Sequence, residues 1–253
     1  MKMNNSMKEV GYLEKRSAPN LVWILSDQHR FCDTGYAGNP EVETPNLDWL
    51  STAGAEFEAA YSNCPLCVPA RGCLWTGLHA LRHGAAANDL PIRPECESIA
   101  TVLDKAGYHT AYFGKWHLGG PPRDAFISHY NRLGFQYWNA NNCNHDYLHG
   151  YYDDNNNIRH PIEGYAPAGE TELVLEYLEK AHKKQEPFAV FLNFGIPHDP
   201  YFALPEGELE RYQKKKLTLR GNCEKKLLQG ERGMDAYEPE RYYAGYYAHI
   251  RQL

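Results

Sequence analysis

Three apolar runs of strand length, each running straight into a cluster of small and ionisable residues, constrain this chain more than any other feature. Asn20-Leu-Val-Trp-Ile-Leu25 leads into Ser26-Asp27-Gln28-His29-Arg30. His109-Thr-Ala-Tyr-Phe113 leads into Gly114-Lys115-Trp116-His117-Leu118-Gly119, and Phe188 to Phe194 leads into Gly195-Ile196-Pro197-His198-Asp199-Pro200. An unbroken apolar run reads as a strand buried on both faces, which requires helices above and below the sheet. Helices are predicted between the runs. Thr44 and Pro45 start one that Gly54 stops, and Ser98 caps one that runs to Lys105 before Gly107. Glu170 to about Lys183 is amphipathic, with Leu173, Tyr177 and Leu178 on one face. Strand and helix in alternation imply an α/β layered fold with a mostly parallel sheet, and ligand chemistry in such sheets gathers at the carboxyl ends of the strands. Residues 139–168, rich in Asn, Asp, Gly, Pro and Tyr, read as a long irregular excursion. Tyr242 to Ile250 reads as the start of a helix rather than a domain end.

A second feature gives those strand ends a chemistry. Cys67-Val68-Pro69-Ala70-Arg71 is followed by Thr76-Gly77, and the residues between suit a short helix. Cys67 would then lie near a helix N-terminus, where free N–H groups and the dipole favour an anion. Arg71, one turn on, adds a forked and permanently charged donor. The layout suits an oxyanion ester, phosphate or sulfate; the pentapeptide alone fits a buried structural cysteine beside a turn proline equally well.

Composition sets the limits. With 253 residues and a net charge of −6, the chain can bury a substantial core and shows no nucleic-acid footprint, so an anionic substrate must be held by local cations. Seven cysteines lie scattered, and Cys64-x-x-Cys67 has no second pair to complete a zinc site. Residues 1–19 carry Lys2, Lys8, Lys15 and Arg16 without an apolar core, so they read as a disordered leader and not a secretory signal. No run is long enough to span a membrane. Reduced thiols and a cytoplasmic location are expected.

Taken together, C-x-P-[SA]-R with T-G, the segment Gly114-Lys115-Trp116-His117-Leu118-Gly119 and the segment Pro197-His198-Asp199-Pro200 resemble the type I sulfatases of the alkaline phosphatase superfamily. The resemblance covers residues 20–253 and corresponds to about the first half of a usual family member. It implies a three-layer α/β/α fold with a mostly parallel central sheet, truncated at its C-terminal side. It also implies that Cys67 is oxidised by a formylglycine-generating or sulfatase-maturating enzyme to formylglycine, whose hydrate attacks sulfur and later eliminates sulfate. Asp27 and Gln28 match the first metal ligands of the family, together with the modified Cys67. Calcium is the expected ion and magnesium the alternative, since both take hard oxygen donors. Gln28 departs from the more usual second aspartate and removes one negative charge.

The resemblance assigns Arg71 to the diol and sulfate oxygens, Lys115 to the sulfate oxygens, His117 to the proton of the hydrate and His198 to the sulfate and the leaving alcohol. Asn88 is a candidate for lining the substrate pocket. His145, His149 and His160 sit in the Asn-rich excursion and could equally face solvent. The expected substrate is a sulfated small molecule or glycan. A phosphonate monoester hydrolase or phosphodiesterase of the same superfamily is one rival reading, and a non-catalytic scaffold is another. No later acidic-then-Asn/His segment follows Pro200, so this stretch alone is expected to have little turnover.

Overall fold

In the computed structural model, which describes residues 18–223 and 238–253, the apolar runs form neighbouring strands. The strands are β1 (Leu21–Leu25), β2 (His109–Lys115), β3 (Tyr137–Asn141), β4 (Tyr151–Asp153), β5 (Arg159–Pro161) and β6 (Phe188–Asn193). They stand in the order β1-β6-β2-β3-β4-β5. The first four of that order are parallel, whereas β4 and β5 add on antiparallel. The helices are α1 (Pro45–Ala53), α2 (Cys67–Thr76), α3 (Ala80–His83), α4 (Ile99–Lys105), α5 (Ala166–Lys184), α6 (Glu208–Gln213) and α7 (Pro239–Ile250).

Alternation along the parallel strands splits the core into two layers, because successive side chains point to opposite faces. On one face Tyr112, Trp138 and Phe191 pack under Val68 and Trp75 of α2 and Ala100 of α4. Tyr112 stacks on Trp138 with ring centroids 5.2 Å apart, and Trp75 meets Phe191 edge-on at 5.6 Å. On the other face Ala111, Phe113, Val190 and Leu192 pack against Val174 and Ala181 of α5. The result is the expected α/β/α sandwich. A third cluster joins α6, α7 and Val42. Among the described residues no helix is long and apolar enough to cross a membrane.

Several expectations need correction. β1 is as apolar as β6, yet Val22 and Ile24 are 53% and 62% exposed while every residue of β6 is buried. The cause is position. β6 lies between β1 and β2, whereas among the described residues β1 pairs with β6 alone. The excursion over 139–168 is less irregular than its composition suggests, since it carries the end of β3 and the β4–β5 hairpin. Helix α5 begins at Ala166, with Pro167 in its first turn. The helix expected from Tyr242 starts earlier, at Pro239, and packs as α7 against α6. Lys215 pairs with Glu43 at 2.8 Å. Residues 1–17 of the expected leader lie outside the described residues.

Two helix starts show how local chemistry decides. Ser98 and Thr101 form a reciprocal capping box: Ser98 Oγ accepts from Thr101 N at 3.1 Å and Thr101 Oγ1 accepts from Ser98 N at 2.9 Å. Thr44 precedes Pro45 as expected, but its hydroxyl accepts from Gly35 N and donates to Asp48 and so leaves α1 uncapped.

Candidate active site

The polar clusters at the ends of β1, β2 and β6 meet at the first turn of α2. Asp27 is fixed just past β1 by its N–H, which donates to Ile196 O across the β6 loop at 2.9 Å. Leu66 is extended, Cys67 opens α2, and the helix ends at Gly77 in the left-handed region, whose N–H returns to Cys73 O. One turn inside α2, Arg71 is buried and donates from Nη2 to Asp27 Oδ2 at 3.1 Å and from Nη1 to Lys115 O at 2.7 Å. Lys115, the last residue of β2 and 1% exposed, donates from Nζ to the same Asp27 oxygen at 2.8 Å. The Cys67 thiol faces the other oxygen, with Sγ 3.8 Å from Asp27 Oδ1. One carboxylate therefore gathers two buried cations beside the cysteine.

Gly114 makes this convergence sterically feasible. Its φ is +82°, and a Cβ there would lie 2.2 Å from Asn193 O on β6. Only glycine lets the two strand ends approach so closely.

The charges perturb one another in consistent directions. Burial alone would raise the pKa of Asp27, but Arg71 and Lys115 outweigh it and hold the carboxyl well below the usual carboxylate range. Burial and the Asp27 charge push the Cys67 thiol up, against the opposing pull of Lys115 and Arg71. Position at a helix N-terminus therefore does not make Cys67 a thiolate. Unmodified, Cys67 is a protonated and weak nucleophile at neutral pH.

Three histidines complete the cluster. His117 follows β2 with φ +58°, and among the described residues neither of its buried ring nitrogens has a hydrogen-bond partner. Burial, then Lys115 and Arg71, push its pKa down to about 3. His198 in the β6 loop donates Nδ1–H to Asp199 O at 2.8 Å, and burial and Lys115 lower its pKa. His145, which sequence reasoning left undecided, is the residue it missed: its Nε2 lies 3.2 Å from Lys115 Nζ and its ring 4.4 Å from that of His198. The Asn-rich setting hid it, since no local pattern shows that the segment after β3 folds back over β2. His149 is exposed beside Asp146, and His160 pairs with Asp154 at 3.1 Å, so both stay outside the cluster.

Asn88 has a different role from the one expected. Its Oδ1 accepts from Val68 N at 3.2 Å and so satisfies a free donor in the first turn of α2. It is not among the residues that line the cleft beside Cys67. That cleft, about 360 Å³, is lined by Asp27, Gln28, His29, Pro65, Leu66, Cys67 and Arg71 among others.

The donor set can be tested against a metal. Asp27, Cys67 and His198 offer ligand atoms within 4.8 Å of one another, a group that can hold an ion. Gln28, exposed and held at φ +61°, lines the same cleft. A carboxylate and an amide oxygen fit a hard cation, while a thiol does not. Cys67 therefore joins such a set only once oxygen replaces its sulfur. All seven cysteines are free, which leaves that conversion open.

The comparisons agree with this geometry. The Sulfatase family model matches residues 19–253. This chain belongs to the sulfatase family. An ulvan-active sulfatase of Formosa agariphila is 37% identical over 246 residues, which cover 97% of this chain and 47% of the relative. The chain thus spans about half the length of the curated relatives it matches. A solved sulfatase structure from Bacteroides fragilis superposes with a TM-score of 0.81 at 26% identity, covering 96% of this chain and 57% of that one. A phosphonate monoester hydrolase of Agrobacterium radiobacter shares the fold at a TM-score of 0.66 and 19% identity, covering 93% and 57%. The alkaline phosphatase-like α/β fold expected from sequence is the fold of these sulfatase neighbours.

Proposed function

We propose that this chain carries the nucleophile-bearing half of a sulfatase site that hydrolyses a sulfate monoester, with a sulfated glycan as the substrate class. The observation that carries the reading is the convergence of Arg71 and Lys115 on Asp27 beside Cys67. Two permanently or strongly charged donors, buried and preorganised, are what a transferring sulfuryl group needs, because they require no reorganisation as charge develops. Formylglycine made from Cys67 by a formylglycine-generating enzyme, with calcium on Asp27 and Gln28, supplies a hydrated aldehyde nucleophile and additional positive charge.

The chain's own residues do the rest. Arg71 and Lys115 hold the sulfate oxygens and orient sulfur towards position 67. His198 keeps Nδ1–H on the Asp199 carbonyl, which leaves Nε2 to carry a proton to the leaving alcohol oxygen. Its pKa is low in the empty site, and an arriving anion raises it, so the proton is acquired as substrate binds. His117, with both nitrogens bare and its ring neutral, is suited to take a proton from the hydroxyl at position 67.

The test combines mass and rate. After co-expression with a formylglycine-generating enzyme, the peptide bearing Cys67 is expected about 18 Da lighter, as replacement of a thiol by an aldehyde requires. Hydrolysis of an aryl sulfate is then compared with that of an aryl phosphonate monoester. Sulfate preference is expected. A clear preference for the phosphonate, whose hydrolase shares the fold, overturns the reading, as does an unmodified Cys67 with no turnover of either ester.

A further inference from the structure

Building on the sulfate-ester reading above, we infer that His145 is a positioning residue that locks the Lys115 ammonium and the His198 ring into one working arrangement. Lys115 has three N–H donors and no acceptor. One donor goes to Asp27 Oδ2 at 2.8 Å, and the neighbour at 3.2 Å is His145 Nε2. Since an ammonium only donates, Nε2 must be the unprotonated acceptor and Nδ1 must carry the ring proton. Cys143 repeats the constraint, for its Sγ lies 3.5 Å from the same nitrogen and burial keeps that thiol protonated. Two donors thus aim at one lone pair.

With two ammonium protons fixed, the third has a defined direction, and it is the one available to a sulfate oxygen. The other face of the ring lies against His198, with centroids 4.4 Å apart and planes tilted by 36°. His145 therefore touches the charge that binds the sulfuryl group and the imidazole that handles the leaving-group proton, while no contact assigns it to the substrate itself. Its loop is pinned for the purpose: Cys143 N donates to Arg123 O at 3.0 Å and Asn144 N to Asn141 Oδ1 at 2.9 Å.

The decisive experiment has two arms. Nitrogen-15 NMR of the folded chain at pH 7 is expected to show His145 as the Nδ1–H tautomer with a bare Nε2; an Nε2–H tautomer overturns the inference whatever the enzyme activity. In the formylglycine-bearing enzyme, His145→Phe keeps a ring against His198 but removes the acceptor. It is expected to lower kcat about 10- to 100-fold with KM within about twofold, because misaligning a charged group costs rate more than binding. His145→Gln, which returns an acceptor oxygen, is expected to recover at least part of that loss. Unchanged kcat in His145→Phe overturns the inference and leaves the sulfatase reading intact. Equal losses in the Phe and Gln variants with a matching fall in unfolding midpoint also overturn it, because they indicate a packing role. An unaltered enzyme inactive on sulfate and phosphonate esters alike would sink the functional reading, and the tautomer would still decide the local one.

Discussion

β6 and β1 are neighbours, equally apolar in sequence, and each delivers a functional residue from its carboxyl end, yet they live in different environments. β6 is buried along its whole length with partners on both edges; β1 has one partner and shows solvent most of its side chains. The contrast divides the site. Lys115, Arg71, His145 and His198 form a closed wall in which most polar atoms have named partners. Asp27 and Gln28 stand at the open edge. Asp27 ties the two together through its ion pairs with Arg71 and Lys115, beside the backbone bond from its N–H to Ile196 O. A sheet can thus be rigid where it positions charge and open where it receives a ligand, with one carboxylate coupling the two.

The coupling is where the comparison breaks most easily. Asp27→Asn leaves two buried cations without their counter-charge and is expected to cost about 3–5 kcal/mol, together with all turnover. Urea unfolding measures it, and a cost below 1 kcal/mol would mean that β1 is not held by the closed wall. The same pairing sets an acid limb. A carboxyl whose folded pKa is depressed contributes stability above its unfolded value, and that stability is lost as pH falls below about 4. Asp27→Asn should therefore flatten the stability profile in that window.

Glu170 sharpens the contrast from the covered side. It is a buried residue of α5 with Oε2 unpartnered among the described residues, and burial pushes its pKa up to about 8, against a weaker pull from Arg71. The folded state then holds a proton that the unfolded state has released, so stability falls as pH rises from the ordinary glutamate range towards 8. Glu170→Gln is expected to remove that slope, a relative gain on the order of 3 kcal/mol between pH 5 and pH 8. Parallel profiles for the two proteins would show that Glu170 is ionised and solvated.

A matched pair tests the strands themselves. Val190 of β6 and Val22 of β1 face each other in register. Val190→Ala is expected to cost about 2 kcal/mol and Val22→Ala less than about 0.5. Equal costs would show that β1 is covered in solution. Asn88→Ala is expected to cost about 1 kcal/mol from loss of the acceptor that caps α2. It is read by thermal unfolding, and no change would return Asn88 to a role at the cleft.

What the sequence disclosed was local and covalent in scale. The apolar runs located three of the four parallel strands, Ser98 located a helix start, and the spacing of Cys67 to Arg71 put both on one turn of α2. Lys115, His117 and His198 were legible because each lies at or shortly past the carboxyl end of an apolar strand. Hidden features depended on what lies beside a segment. A hydrophobic run does not say whether its strand is central or peripheral, so β1 was misjudged. Asn88 and His145 act on residues 20 and 30 positions away, through space that no periodicity encodes. The thiol of Cys67 titrates upward because burial, and then a carboxylate from the end of a distant strand, outweigh the pull of Lys115 and Arg71.

The glycine at 114 carries one more consequence. The gap between the ends of β2 and β6 is narrower than a single methyl group, so the spacing of the two loops they launch is set by an absence of matter. Any side chain at 114 acts as a wedge, and its thickness is passed on to the distance between Lys115 and His198. Such a joint has no adjustable tolerance: it is either closed or sprung. Divergence among sulfatase sites can therefore proceed through the loops while the seam from which they spring stays at minimum width.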